Sequence, residues 1–273
     1  MNKIKELSVI FNEGPISRSY INFLKMKGLL DIKIIYLSEN NLLPNFINSY
    51  LKFHKYNYYP IKFLKNKKIK YFTDQVEEYF NVKQNFIKDM YSQKNLDFFK
   101  NITYIKDANI NSQKLFEHIK EDKNIFFLNT GKQIIKKILD ANKKIIHIHP
   151  GYLPEVKGAD GSLHSIDKFN ILGSSSFFVN QKIDEGEIIY RRKFEYKKFK
   201  ILDYENYSLR DIYRLWFSFV DPLIRVSHLN YLVEKNFLNE RAPNKINTSN
   251  EDSNYYTYMN NNELRRTFEK IFD

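Results

Sequence analysis

The chain of 273 residues contains no cysteine, so neither a disulfide framework nor a thiolate metal site is open to it. That usage fits a reducing cytoplasm, where the protein is expected. Glycine and proline are scarce, at 8 and 7 residues, and no internal repeat or low-complexity segment interrupts the chain. No apolar run approaches the roughly 18 residues that a membrane span needs. The opening MNKIKELSVIFNEG carries only a strand's length of apolar residues, too few for the core of a secretory leader. No membrane partner is therefore expected. What is present is apolar bulk: 42% of residues are hydrophobic and 16% aromatic. That suffices for one large domain, or a main domain with a smaller addition.

The formal net charge of +12 raises nucleic acid as a partner. The lysines that dominate it are spread through an Asn/Ile/Tyr/Phe-rich chain, as background base composition would leave them. Their densest cluster, Lys62, Lys65, Lys67, Lys68 and Lys70, reads as a solvated surface segment. Nucleic acid is not expected. Arginine is distributed differently. Apart from Arg18, every arginine follows position 190. Its planar fork suits phosphate, so a phosphorylated small molecule held by the C-terminal third is one expectation and surface ion pairs are the other.

The periodicity is that of an α/β protein. Residues 6–12 read as a strand, Gly14-Pro15 as a turn, 17–30 as a helix and 31–37 as a second strand. Such a β-turn-α-β unit implies a parallel sheet. Residues 74–99 and 112–122 read as helical, 124–129 as a strand and 132–139 as a helix with an Ile/Leu stripe. Beyond about residue 196 the pattern becomes helical. Ser208, with Asp211 three residues on, opens one helix; Asp221-Pro222 breaks it and opens another. Residues 238–254 read as a polar loop, and the tail ends in an amphipathic helix. The expected division is an α/β catalytic domain, 1–196, and a helical C-terminal extension, 197–273, suited to substrate choice or to contacts in a homodimer.

The chemistry concentrates in IIHIHPGYLPEVKGADGSLHS, residues 145–165, and KIDEGEII, residues 182–189. A strand over 145–149 sends His147 and His149 to one face, and Pro150 stops it. Asp184 sits in an Asp-Glu-Gly turn between two β-type runs. Two imidazoles with a carboxylate folded back onto them form a proton-handling set. Asp160 and His164 read as loop scaffolding. The aromatic run at 255–258 is expected to pack back onto the sheet, with stacking on a bound base as the alternative.

His147-Ile148-His149-Pro150-Gly151-Tyr152-Leu153-Pro154, then Gly158, then Asp184-Glu185-Gly186 resemble the folate-dependent formyltransferases, whose pattern is Asn-x-His-Pro-x-x-Leu-Pro, a Gly and a distant Asp-x-Gly. The resemblance covers about residues 124–195. It implies a Rossmann-like, mostly parallel sheet and transfer of a formyl group from N10-formyltetrahydrofolate to a primary amine. It makes His149 and Asp184 the catalytic pair, with Asp184 raising the His149 pKa. It sets His147 where the family carries an oxyanion-stabilising Asn, a departure that implies a stronger acid-side pH dependence. It puts Gly131, Lys132, Gln133, Ile134 and Ile135 on one wall of the folate pocket and Asn180 and Ile183 on the other. No metal is implied. Within the family an amino sugar on a nucleotide carrier is the favoured acceptor. The C-terminal third does not read as the β-barrel of the tRNA enzymes, and the chain is longer than a minimal purine-pathway transformylase. A formyl-folate deformylase, a purine-pathway or tRNA formyltransferase, a metal-dependent hydrolase built on the His147/His149 pair, and a non-catalytic binding module remain as alternatives.

Overall fold

The computed structural model of the chain describes residues 6–39, 42–238 and 253–272. The run LSVIF is buried at every position and forms β1 (Leu7–Phe11), as a strand covered on both faces must. Pro15 stands at the start of α1 (Pro15–Met26), where its missing N–H leaves no bond unmade. β2 (Lys33–Leu37) returns parallel to β1. A helical excursion follows, through α2 (Asn45–Leu64), α3 (Lys67–Tyr79) and α4 (Phe86–Met90). β3 (Ile102–Ile105) then pairs with β2. α5 (Gln113–Glu121), capped by the Ser112 hydroxyl, leads to β4 (Phe126–Asn129) on the other side of β1. β5 (Lys144–His149) runs parallel to β4. β6 (Lys157–Gly158) and α6 (Gly161–Phe169) separate it from two antiparallel strands, β7 (Leu172–Phe178) and β8 (Ile188–Phe194).

The seven-stranded order is β3-β2-β1-β4-β5-β7-β8. This is the α/β, Rossmann-like, mostly parallel sheet expected. The order reverses between β1 and β4, and a crevice opens outside the carboxyl ends of strands at such a point. Alternation along the strands divides the core. Val9, Phe11, Ile34, Leu128, Ile146 and Ile148 belong to the larger cluster, under α1, α3, α4 and the C-terminal helices. Ile10, Ile35, Phe127 and Ile145 face the smaller one, under α5.

The C-terminal helices join the larger core. They are α7 (Leu209–Leu215), α8 (Asp221–Glu234) and α9 (Asn261–Ile271). The short β9 (Tyr255–Tyr256) pairs in parallel with β6. Ser208 caps α7 as expected, its hydroxyl accepting the Asp211 N–H at 3.2 Å. The expected break at Asp221-Pro222 is corrected: a π-helical turn, Trp216–Val220, carries α7 into α8 without interruption. Pro222 has no N–H to offer the Ser218 carbonyl one turn earlier, and the Tyr91 hydroxyl donates to that carbonyl instead, at 2.8 Å.

Two other helices differ from expectation. Within 74–99, α3 ends at Tyr79 and the chain turns through Asn81 and Asn85, both at positive φ. The Glu77 carboxylate accepts the Asn85 and Ile87 N–H groups at 2.8 and 2.7 Å, fixing the start of α4. No helix spans 132–139. The segment is an extended loop that closes in a 3-10 turn, Lys137–Ala141. Asn111 Oδ1 accepts the Lys136 and Lys137 N–H groups, and Gln133 Oε1 accepts the Ile110 N–H. Side-chain bonds to a neighbouring loop thus outcompete a short helix rich in β-branched isoleucine. The clustered lysines at 62–70 are exposed, as read from the sequence. Most of the expected loop at 238–254 lies outside the described residues. No described helix is long and apolar enough to cross a membrane.

Two buried polar groups make the fold sensitive. The Arg18 guanidinium meets Glu13 through two bonds of 2.7 and 2.6 Å, both side chains essentially without exposure. Glu13→Ala would strand that charge and should lower unfolding stability by about 3–5 kcal/mol in urea titrations. His228, fully buried, sits between the Ser174 and Ser176 hydroxyls at 2.7 and 3.0 Å. Burial, aided by the charge of Arg192, carries its pKa down to about 3. The unfolded chain therefore takes up a proton that the folded chain refuses. The resulting stability is complete above about pH 6.5, the ordinary histidine value, and falls as pH drops from there toward 3. His228→Gln should flatten that acid-side loss in denaturation curves recorded across the interval.

Candidate active site

The reversal of strand order leaves a cleft at the carboxyl ends of β4 and β5, beside the start of α1. The irregular segment after β4, residues 131–135, forms one of its walls. The cleft has a volume of 370 Å³, inside the range of about 300–1,000 Å³ usual for small-molecule sites. Every residue expected from the sequence lines it: His147, His149 and Asp184, the run Gly131 to Ile135, and Asn180 and Ile183. Among the apolar wall residues, Ile134 and Ile183 present uncovered side chains, 54% and 39% exposed, whereas Ile135 turns into the core. The Gln133 amide oxygen is committed to Ile110, and Asn180 braces its own turn by bonds to Glu185 and Lys182. Lys132 carries its ammonium to 5.2 Å from the Phe217 ring centroid, and desolvation there holds its pKa below the ordinary lysine value.

His149 is set in a cradle without side chains. A Cβ at Gly151 or Gly161 would lie 2.5 or 2.7 Å from its Nε2, so only glycine leaves room for the ring. Nε2 donates to the Val156 carbonyl at 3.0 Å, which turns Nδ1 toward Asp184. That carboxylate, at a residue with φ of 53°, lies 3.6 Å from Nδ1 and accepts the Gly158 N–H at 2.8 Å. Asp184 raises the His149 pKa, as expected, but the net shift is downward. Burial lowers it, Asp184 opposes, and the Arg225 guanidinium adds to the lowering. Desolvation outweighs Asp184 and the weaker pull of Asp221.

His147 is held below its ordinary range too, by burial first and then by Arg225. It stays neutral in the neutral pH range, so the acid-side sensitivity expected of a titratable group here moves to lower pH. Its Nδ1 lies 3.3 Å from the Asn129 side-chain amide, and its ring meets Phe177 edge-on at 5.8 Å.

Arg225 and Asn129 escaped the sequence reading. Arg225 lies in the apolar stretch LIRVSHL, yet it is buried, pairs with Asp221 at 2.8 Å and donates to the Ile148 carbonyl between the two histidines. Asn129 was visible only as the polar last residue of an apolar strand. Of the other late arginines, Arg266 pairs with Asp167 and Arg191 with Glu155, while Arg214 stacks on Tyr59. Among the described residues only Arg225 of these lines the cleft.

Asp160 and His164 are scaffold, as expected. Asp160 accepts the Tyr213 hydroxyl and the Met259 N–H; His164 meets the Thr257 carbonyl at 2.9 Å and stacks on Tyr256. They thereby hold residues 255–259 over the cleft. Tyr255 and Tyr258 do not pack onto the sheet but line the cleft mouth, 59% and 74% exposed. Among the described residues no group of three or more His, Cys, Asp or Glu is placed to hold a metal ion.

No family model matches the chain. Its likenesses are to solved structures. A sugar N-formyltransferase from Shewanella sp. FDAARGOS_354 is similar at 17% identity over 96% of this chain and 85% of that one, with a TM-score of 0.48. A 4-N formyltransferase from Francisella tularensis is similar at 15% identity, 98% and 87% coverage and a TM-score of 0.48. An N-formyltransferase from Helicobacter canadensis, solved with folinic acid and dTDP-3-aminofucose, is similar at 16% identity, 96% and 80% coverage and a TM-score of 0.45. Likeness of this degree assigns neither substrate nor mechanism.

The opposing influences on His149 make a direct test. Asp184→Asn removes the carboxylate that raises its pKa most, so an NMR titration of the imidazole should give a midpoint below the wild-type value. An unchanged midpoint would mean that Asp184 does not act on His149.

Proposed function

We propose that this cleft transfers a formyl group from N10-formyltetrahydrofolate to a primary amine, with an amino sugar on a nucleotide carrier as the acceptor class. The observation that carries the reading is convergence. The residues of the formyltransferase-like pattern, spread over 131–184, meet in one cleft with the donor, base and apolar walls that the reaction needs. The uncovered side chains of Ile134 and Ile183 suit the faces of a flat heteroaromatic ring. The acceptor would enter under Tyr255 and Tyr258, whose exposed rings suit stacking on a nucleoside base.

The chain's residues divide the work by what each nitrogen meets. The attacking amine forms the new C–N bond at the formyl carbon while the carbonyl electrons move onto oxygen. His149 has given its Nε2–H to Val156, so the donor for that oxygen is His147 Nε2–H. Losing such a donor costs roughly 10²–10³ in rate. His149 Nδ1 and Asp184 take up the proton that the amine sheds and return it to the folate nitrogen as its bond to the formyl carbon breaks. General acid–base help of this kind contributes about 10²–10⁴. Arg225, buried beneath both rings, adds positive potential where the oxyanion develops.

The donor half can be tested by thermal shift with a stable 5-formyl analogue of the folate. Wild type and His149→Ala should both melt at higher temperature with the analogue, since His149 is assigned to chemistry and the walls to binding. Ile134→Asp should abolish the shift. A wild type that shows no shift at saturating folate would remove the formyl donor from the assignment.

A further inference from the structure

We infer that Asn129 is a positioning residue that holds His147 as a neutral imidazole with its proton on Nε2, aimed into the cleft as a standing hydrogen-bond donor. The argument begins with the orientation of the amide. Asn129 is buried at the end of β4, 3% exposed. Its Oδ1 accepts the Gly131 N–H at 2.9 Å, and its Nδ2 lies 3.2 Å from the Gly131 carbonyl. Exchanging oxygen and nitrogen would set oxygen against the carbonyl and an NH₂ group against the N–H. Both contacts would become repulsive, so the amide has one allowed orientation. Its second Nδ2 hydrogen then points at His147 Nδ1, 3.3 Å away. A nitrogen that receives a hydrogen bond carries no proton. The ring proton is therefore on Nε2, on the edge that faces the cleft.

The sheet itself creates this pairing. The parallel register places Phe127 beside Ile145 and Leu128 beside Ile146; one step further it sets Asn129 beside His147 on the same face. The charged and titratable groups around His147 agree with a neutral ring. Arg225, from α8, repels a proton on it. His149, on the same strand, does so too, while Asp184, from the turn after β7, and a hydrogen bond with the Asn129 backbone favour it and are outweighed. Protonation of Nδ1 would also set an N–H against the Asn129 NH₂ group. The resemblance supplies only a departure at position 147. Asn129 supplies its compensation, because it leaves a histidine as an N–H donor where an amide donor is expected.

The catalytic meaning of this arrangement rests on the formyl-transfer reading, but the tautomer does not, and the test separates them. Side-chain ¹⁵N spectra of the full chain, with His147 assigned by His147→Gln, should show an unprotonated Nδ1 and a protonated Nε2, unchanged from pH 8 to pH 5. Averaged signals, or titration near pH 6.5, would overturn the inference. Asn129→Asp puts an acceptor opposite Nδ1. The ring should then become doubly protonated over part of the neutral range, and any turnover should gain a pH dependence that wild type lacks. Asn129→Leu should mix the two tautomers. A folded Asn129→Asp with the wild-type pattern would overturn the inference. If that variant does not fold, the wild-type titration decides alone. The expected spectra together with no formyl transfer would remove the proposed function and leave the tautomer standing.

Discussion

The guanidinium of Arg225 is the interaction on which the site depends. A cation with so little exposure is tolerated only if paired and hydrogen-bonded, and Arg225 meets both conditions through Asp221 and the Ile148 carbonyl. The second contact ties α8 to β5 between its two histidines. The first holds Asp221 buried at the start of α8, directly after the π turn. Pro222 and Tyr91 stabilise that turn by removing one hydrogen bond and supplying another. One buried charge thus joins the C-terminal helices to the strand that carries the chemistry.

Its field has a chemical consequence. Two imidazoles beside a carboxylate suggest a charged, readily titrated cluster. Burial and Arg225 together outweigh Asp184, and both rings are held below their ordinary pKa. Neutral imidazoles can be distinguished by their neighbours, where protonated ones could not. Val156 occupies Nε2 of His149, and Asn129 faces Nδ1 of His147. Identical side chains two residues apart therefore meet their fixed neighbours through opposite ring nitrogens. In the proposed transfer, one donates to the oxygen while the other handles the proton.

The walls follow the same economy of local causes. The β4–β5 connection is a loop because Asn111 captures its backbone, and that loop forms one wall of the cleft. The segment after residue 253 lies over the cleft because Asp160 and His164 hold it by backbone contacts at Met259 and Thr257. Glycines at 151 and 161 leave room for the His149 ring.

The sequence by itself determined the first two strands and their parallel pairing, the strands that end at Asn129 and His149, the helix cap at Ser208, and the motif residues that line the cleft. Those features rest on local rules: alternation of apolar residues, capping side chains, and a motif whose spacing survives in one dimension. It misread the 132–139 segment and the Asp221-Pro222 step, because each was decided by a side chain from elsewhere, Asn111 in one case and Tyr91 in the other. It passed over Arg225 and Asn129, which look like a stray charge in an apolar helix and a polar strand end. Their roles exist only once β4 lies beside β5 and α8 crosses beneath them. Protonation was the property least legible along the chain. The sign of a pKa shift is set by the balance of desolvation against charges brought together from distant segments, and only the tertiary structure decides that balance.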